Sequence, residues 1–193
     1  MLERFALGGS GPMVRGAKVV LRTAQPGDWP AWARLRAESR EHLKPWEPTW
    51  PVDALNRSSF RRRLRQHARE AREETGFSFL VFRQIDDALL GGVTLAQIRR
   101  GVAQTATVGY WMGRPFVGRG YMQDAVRAVI GFSFGQLRLH RLEAACLPEN
   151  TRSRKLLRGL GFTEEGVARE YLCIDGVWRD HVLHGLLAND PRR

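Results

Sequence analysis

Residues 108–126, VGYWMGRPFVGRGYMQDAV, place a glycine-rich turn between a strand-like segment and a helix-like segment. After the turn, apolar residues recur at helical spacing, as at Met122, Ala125 and Val126. Gly118 and Gly120 would let the backbone adopt a positive φ and would let a phosphate approach amide groups at the start of a helix. A plain tight turn remains the alternative. No Gly-Lys-Ser/Thr follows and no clear acidic residue stands about twenty positions on, which excludes a Walker loop and disfavours a dinucleotide fold.

The rest of the chain alternates strand-like and helix-like segments without internal repeats, so the fold class is predicted to be α/β (mixed α+β). We expect one domain, with a central twisted mixed sheet of about seven strands flanked by about four helices. Residues 1–16 are predicted to be a flexible tail and residues 17–190 the domain. The predicted strands span 17–24, 77–83, 89–97, 105–112, 141–147, 163–172 and 178–187, and the predicted helices span 26–43, 60–74, 120–136 and 150–161.

A formal net charge of +11 favours polyanionic partners, either RNA or a small ligand with several phosphates. The arginine-rich run at 60–74 fits the solvated face of an amphipathic helix better than a nucleic-acid patch. No run of eighteen apolar residues or signal-peptide pattern is present, so a cytoplasmic protein without membrane contact is expected. No metal is predicted, because His181 and His184 lie three apart on a predicted strand and would face opposite ways.

Four separate stretches carry a resemblance to a known family. They are HLKPWEP (42–48), residues 108–126, LHRLEA (139–144) and PENTRSRKLLRGLGFTEEG (148–166). The chain resembles, from about residue 18 to residue 187, the GNAT N-acetyltransferases, and within them the RimJ/RimL branch that acetylates the N-terminal amines of ribosomal proteins. The fold implied is a single GNAT-like domain. Pro115 stands where the family's pyrophosphate loop usually has Gln or Arg, and Arg114 lies one position early.

The resemblance implies acetyl-CoA as the co-substrate. Trp111 and Met112 would pair their backbone with the pantetheine arm, and one amide there would polarise the thioester carbonyl. The pyrophosphate would bind to the backbone of Val117, Gly118, Arg119, Gly120, Tyr121 and Met122. Asn150 would lie near the pantetheine, and the residues themselves also predict it to be a helix N-cap. Arg154, with Arg152 and Lys155, is expected near the adenosine 3′-phosphate.

Direct attack on a thioester requires a neutral amine and a stabilised leaving thiolate. The resemblance implies that Glu170 is the general base and Ser153 the acid to the thiolate. From the residues alone, Glu170 could instead be an exposed strand residue paired with an arginine, and Ser153 could bond to backbone in its first helical turn. Many family members place a tyrosine at the position of Leu157.

The segment HLKPWEPTW (42–50) resembles the family's acceptor-side loop. Trp46 and Trp50 would be its walls, and Glu41 or Glu47 would receive the incoming ammonium; alternatively, these residues simply cover a sheet edge. The resemblance implies a ribosomal-protein N-terminus as acceptor, with a transient ribosome contact. A small-molecule amine such as an antibiotic or polyamine, and a non-catalytic basic protein that binds RNA or the ribosome, stay open as alternatives. The sequence leaves monomer and homodimer open.

Overall fold

A computed structural model describes residues 11–191, in which eight strands form one sheet with helices on both faces. The strands are β1 (Met13–Arg15), β2 (Val19–Thr23), β3 (Phe77–Arg83), β4 (Leu89–Arg99), β5 (Thr105–Met112), β6 (Arg141–Cys146), β7 (Thr163–Ile174) and β8 (Val177–Leu187). The helices are α1 (Trp29–Glu38), α2 (Arg40–Leu43), α3 (Arg57–Arg72), α4 (Tyr121–Gly135) and α5 (Thr151–Gly159), and short 3₁₀ turns occupy Pro26–Asp28, Lys44–Trp46 and Arg114–Phe116.

The sheet is mixed, with the strand order β1-β2-β3-β4-β5-β6-β8-β7. Neighbouring strands are antiparallel except for β5 and β6, which run parallel because α4 crosses between them. The predicted α/β class and single mixed sheet are therefore confirmed. The sheet has one more strand than the sequence indicated.

The additional strand, β1, lies inside the segment that the sequence assigned to a flexible tail. Met13 pairs with Arg22 and Val14 with Leu21, and Val14 is buried. Three residues are too few to show an alternating pattern, so no periodicity in the sequence predicts this strand. The turn after β1 is held by Asp124 of α4, whose carboxylate accepts hydrogen bonds from the backbone of residues 17 and 18 at 3.0 and 2.7 Å. Residues 1–10 of the predicted tail lie outside the described residues.

The single helix predicted over residues 26–43 is divided into a 3₁₀ turn, α1 and α2. Asp28 stands at the N-cap position of α1 but its side chain makes no capping hydrogen bond, because its carboxylate binds the Arg22 guanidinium through two 2.7 Å hydrogen bonds. Ser39, which is fully buried, separates α1 from α2. Its Oγ accepts a 2.9 Å hydrogen bond from the backbone N–H of Arg114, so this break fastens the loop that follows β5.

Two apolar layers cover the two faces of the sheet. On one face α4 and α5 pack on the strands, and Phe132 of α4 meets the rings of Phe77 and Phe79 edge-on at 5.4 and 5.7 Å. On the other face, Trp32 of α1 and Phe60 of α3 form a second cluster, with ring centroids 5.0 Å apart. Burying aromatic rings of this size contributes a large part of the folding free energy. Side chains of β5 pack into both layers.

Candidate functional site

The turn after β5 adopts the conformation that its glycines predict. Gly118 and Gly120 have φ values of +75° and +78°, and Gly120 is the N-cap residue of the fifteen-residue helix α4. Apart from the adjoining residues of the chain, no protein atom lies within 4 Å of the place where a Cβ would stand on either glycine. The first backbone N–H groups of a helix have no partner inside it, and the helix dipole is positive at this end. The turn therefore suits an anionic group such as a pyrophosphate.

An opening in the sheet begins beside this turn. Pairing between β5 and β6 covers only Thr105 to Thr107 on β5, whereas β4 pairs with β5 as far as Met112. From residue 108 onward the backbone of β5 has its strand partner on the β4 side alone. Trp111 and Met112 lie on this stretch. An extended ligand with amide groups, such as a pantetheine arm, could pair with that free edge.

The far side of the opening is formed by the end of β6 and the start of α5. Asn150 caps α5, because its Oδ1 accepts a 3.1 Å hydrogen bond from the N–H of Ser153. The Ser153 hydroxyl lies 2.6 Å from the Tyr110 hydroxyl on β5, so this contact joins the two rims. Burial raises the pKa of the Tyr110 phenol far above its usual value. Burial also raises the pKa of the nearby Cys146 thiol, against a smaller opposing effect of its hydrogen bond with Ser153.

A cavity of about 500 Å³ lies on the face of the sheet that α1 and α3 cover. It reaches β5 at residues 109–111, so it meets the same stretch of strand as the opening. Gly92 leaves room for the Trp111 indole, since a Cβ on Gly92 would stand 2.5 Å from its Nε1. The cavity walls include three tryptophans and three basic side chains: Trp32, Trp50, Trp111, Arg36, Arg63 and His67.

Arg36 organises the wall of this cavity. Its guanidinium carbon lies 4.2 Å from the centroid of the Trp50 ring and 4.8 Å from that of Trp111. It also donates two hydrogen bonds, of 2.8 and 2.6 Å, to the carboxylate of Glu47. Trp50 Nε1 donates a third, of 2.8 Å, to the same carboxylate. Burial, more than the neighbouring charges, lowers the pKa of His67, so that this side chain adds no positive charge near pH 7.

Comparison with known proteins identifies the family of the chain. A model of the acetyltransferase (GNAT) domain matches residues 18–163. The [ribosomal protein uS5]-alanine N-acetyltransferase of Escherichia coli is 35% identical over 175 residues, which cover 90% of this chain and 89% of that protein. The chain belongs to the GNAT acetyltransferases.

Solved structures agree with this assignment. The ribosomal-protein-S5-alanine acetyltransferase of Vibrio fischeri superposes with a TM-score of 0.86 at 30% identity, covering 95% of this chain and all of that one. RimJ of Mycobacterium smegmatis, solved in complex with CoA-disulfide, gives a TM-score of 0.84 at 34% identity, covering 93% and 87%. This acetyltransferase is therefore similar over nearly its whole length to enzymes of the RimJ type.

The residues predicted for the acceptor side of the acetyltransferase separate into two groups. Glu47 and Trp50 lie in the cavity wall, and the Glu47 carboxylate is already bound by Arg36. Glu41 is exposed on α2, and Trp46 is half-buried in the neighbouring 3₁₀ turn. Neither Glu41 nor Trp46 is among the described residues that line the cavity.

The predicted catalytic residues are not brought into contact with each other. Ser153 lies at the rim of the opening, as described above. Glu170 is exposed at an irregularity of β7, where its φ is +45° and its N–H donates a 2.8 Å hydrogen bond to Asp180. Glu170 does not line the cavity among the residues that the structure describes. Arg154 is bound to the Glu164 carboxylate at 3.0 Å, whereas Arg152 and Lys155 beside it are exposed.

Two residues of this site are not among those that the sequence predicts for it. They are Tyr110, the partner of Ser153, and Arg36, the centre of the cavity wall. Each depends on contacts between residues far apart in the chain. A signal existed for Tyr110, because it lies within the family-like stretch 108–126. Within residues 11–191 no cluster of His, Cys, Asp or Glu suits a metal, and no helix is long and apolar enough to cross a membrane.

Proposed function

We propose that this acetyltransferase transfers the acetyl group of acetyl-CoA to the N-terminal α-amine of a protein, with a ribosomal protein as the favoured acceptor, in the cytoplasm. The single observation that carries the proposal is the position of β5, whose residues 109–111 border both the opening beside the glycine turn and the cavity on the other face. A thioester bound along one side of β5 and an amine bound in the cavity would meet at this strand.

Acetyl-CoA, when bound, supplies an acetyl group activated as a thioester. The backbone of residues 117–122 would hold its pyrophosphate, which the positive φ of Gly118 and Gly120 and the open space beside them support. The free edge of β5 at Trp111 and Met112 would hold the pantetheine arm and orient the carbonyl. Asn150 and Arg154 would border the arm and the adenosine phosphate from α5.

The cavity favours an amine that is neutral when it arrives. Glu47 is neutralised by Arg36, and Arg63 adds a further positive charge, so the wall does not stabilise an ammonium ion strongly. An α-amine has a pKa of about 7.7–8.0, so a large fraction is neutral near pH 7.5, whereas a lysine amine at about 10.4 is almost fully charged. The electrostatics therefore support an N-terminal acceptor over a lysine side chain.

The mechanism that fits is direct attack by the amine within a ternary complex. Glu170 would take the surplus proton of the amine, directly or through a water molecule, and Ser153 would hydrogen-bond to the departing thiolate. No covalent enzyme intermediate is required, and the Cys146 thiol is held neutral by burial.

The test is steady-state acetyl-CoA turnover against three acceptor sets: peptides carrying the first residues of ribosomal proteins, polyamines, and aminoglycosides. We expect the highest kcat/KM for a peptide, with loss of turnover when its α-amine is blocked and its lysines are left free. Preferential turnover of a polyamine or an aminoglycoside would refute the protein acceptor. RNA binding without turnover of any acceptor would refute catalysis by this chain.

A further inference from the structure

The contact between Tyr110 and Ser153 links the two rims of the opening in the sheet. Tyr110 belongs to β5, and Ser153 to the first turn of α5, 43 residues further along the chain. Their hydroxyl oxygens are 2.6 Å apart, which is a short and well-formed O–H···O hydrogen bond. The side chain of Ser153 makes this contact while its own N–H is held by Asn150.

The direction of this hydrogen bond determines what the serine can do. A serine hydroxyl has one proton to donate and can accept two hydrogen bonds. If Ser153 donates to Tyr110, its proton is engaged and cannot reach a leaving group. If Tyr110 donates, the Ser153 proton stays available and its O–H bond becomes more polarised.

The surroundings favour Tyr110 as the donor whenever an anion lies beside Ser153. Because burial raises the pKa of the phenol, Tyr110 keeps its proton throughout the neutral and mildly alkaline range. The Cys146 thiol beside Ser153 also stays protonated, so it does not compete as an anion for the serine proton. A thiolate that forms near Ser153 is therefore the strongest acceptor within its reach.

We propose that Tyr110 is a positioning residue whose O–H donates a hydrogen bond to Ser153 Oγ and so directs the Ser153 O–H, as a hydrogen-bond donor, toward the leaving thiolate. This inference rests on the proposed function. During transfer the amine lone pair forms the C–N bond, and the C–S bond breaks with its electron pair going to sulfur. The amine proton goes to Glu170, and the Ser153 hydroxyl keeps its proton while it donates a hydrogen bond to the thiolate, which takes its own proton from solvent on release. Ser153 and Tyr110 are therefore unchanged at the end of the step.

Leu157 shows why a hydroxyl group beside Ser153 has to come from outside α5. Leu157 lies one turn beyond Ser153 on α5, it is only 1% exposed, and it packs in the apolar core. No hydroxyl can therefore come from that position of the helix. Tyr110 instead brings a phenol hydroxyl to Ser153 from β5, on the other side of the opening.

A double-mutant cycle tests the proposal, with kcat and the KM for acetyl-CoA measured for wild type, Tyr110→Phe, Ser153→Ala and the double variant. We expect Ser153→Ala to lower kcat about 10²-fold and Tyr110→Phe about 10-fold, with KM changed less than about 2-fold. The double variant should match Ser153→Ala within about 2-fold, because Tyr110 acts only through the serine.

The matched control is Tyr171→Phe, which removes a phenol hydroxyl from an exposed position on β7. It should keep wild-type kcat, and the thermal midpoints of all variants show whether a loss of rate is a loss of folded protein. A structural role for Tyr110 predicts that its loss multiplies with that of Ser153→Ala, about 10³-fold in total, and this result would overturn the proposal.

Two further outcomes are decisive. A raised KM with unchanged kcat in Tyr110→Phe would make Tyr110 a binding residue and overturn the proposal. Full activity of Ser153→Ala would also overturn it, since no serine proton would then need direction, while wild-type turnover would leave the acetyltransferase function standing. Absence of wild-type turnover would refute the proposed function itself, and the inference with it.

Discussion

Replacing Gly120 by alanine should separate the fold from ligand binding at the glycine turn. Gly120 has a φ of +78°, and forcing an L-residue into this region costs about 1–2 kcal/mol. Apart from the adjoining residues of the chain, no protein atom lies within 4 Å of the new Cβ, so packing against the rest of the protein adds no steric term to that cost. The fold should therefore survive with a modest fall in its free energy of unfolding.

The affinity for CoA should fall as well, for a reason separate from this backbone strain. The methyl group would enter the open space beside the first amides of α4, where a pyrophosphate has to approach. Losing one hydrogen bond to a charged group costs about 1.5–3 kcal/mol. At 1.4 kcal/mol per factor of ten, the Kd for CoA should rise roughly 10- to 100-fold.

Gly101→Ala is the matched control for this substitution. Gly101 lies in the turn between β4 and β5, has a φ of +66°, and also has no atom within 4 Å of its Cβ position. It carries the same backbone strain away from the opening. Calorimetric titration with CoA and thermal unfolding should be run on both variants. If Gly120→Ala binds CoA as tightly as Gly101→Ala, the phosphate assignment of the turn is wrong.

Three further predictions concern the cavity, the base and the adenosine phosphate. Arg36→Met should lower the free energy of unfolding by about 3 kcal/mol, measured by denaturant titration, because it leaves the Glu47 carboxylate without its ion-pair partner in a largely buried wall. Glu170→Gln should lower kcat by roughly 10²–10⁴-fold without changing CoA affinity, and the deficit should narrow above pH about 8, where an α-amine is already neutral. CoA should bind more tightly than its 3′-dephospho analogue at low salt, and the difference should shrink as salt rises, because Arg152 and Lys155 are exposed cations.

For each of these three predictions, a specific outcome would contradict it. Arg62→Met, which breaks an exposed pair with Asp53, should cost clearly less stability than Arg36→Met, and an equal cost for the two variants would show that the cavity pair is unimportant to stability. Near wild-type turnover of Glu170→Gln at pH 7 would show that this carboxylate is structural. Equal affinity for the two forms of CoA at low salt would show that the start of α5 is exposed to solvent and does not contact the 3′-phosphate.

Local chemistry explains which parts of the fold could be predicted from the sequence. The glycine turn and α4 follow from residues whose backbone preferences are strong, since Gly118 and Gly120 both adopt a positive φ. Asn150 is a helix N-cap, as its residue type and position predicted. These features depend on interactions within a few residues of each other.

The features that the sequence did not reveal depend on distant contacts. The hydrogen bond between Tyr110 and Ser153 joins residues 43 apart, and the break at Ser39 is stabilised by the backbone of Arg114, 75 residues away. Arg36 lies inside the helix predicted over residues 26–43, and only the fold reveals that it stacks between two tryptophans. Spacing along the chain carries no signal for such contacts.

The short parallel pairing of β5 and β6 also has a consequence for how the chain folds. Strands β1 to β5 are each adjacent to the next in the chain, and β7 and β8 form a hairpin beside β6, so most pairing is between neighbours in sequence. The two halves are joined across the sheet by three residue pairs, at Thr105 to Thr107. This β5–β6 pairing is the seam between the two halves. Because the seam closes a long loop and gains few hydrogen bonds, it should form last during folding. Amide hydrogens at the seam should then exchange through partial opening, earlier than those in the centres of β3 and β4.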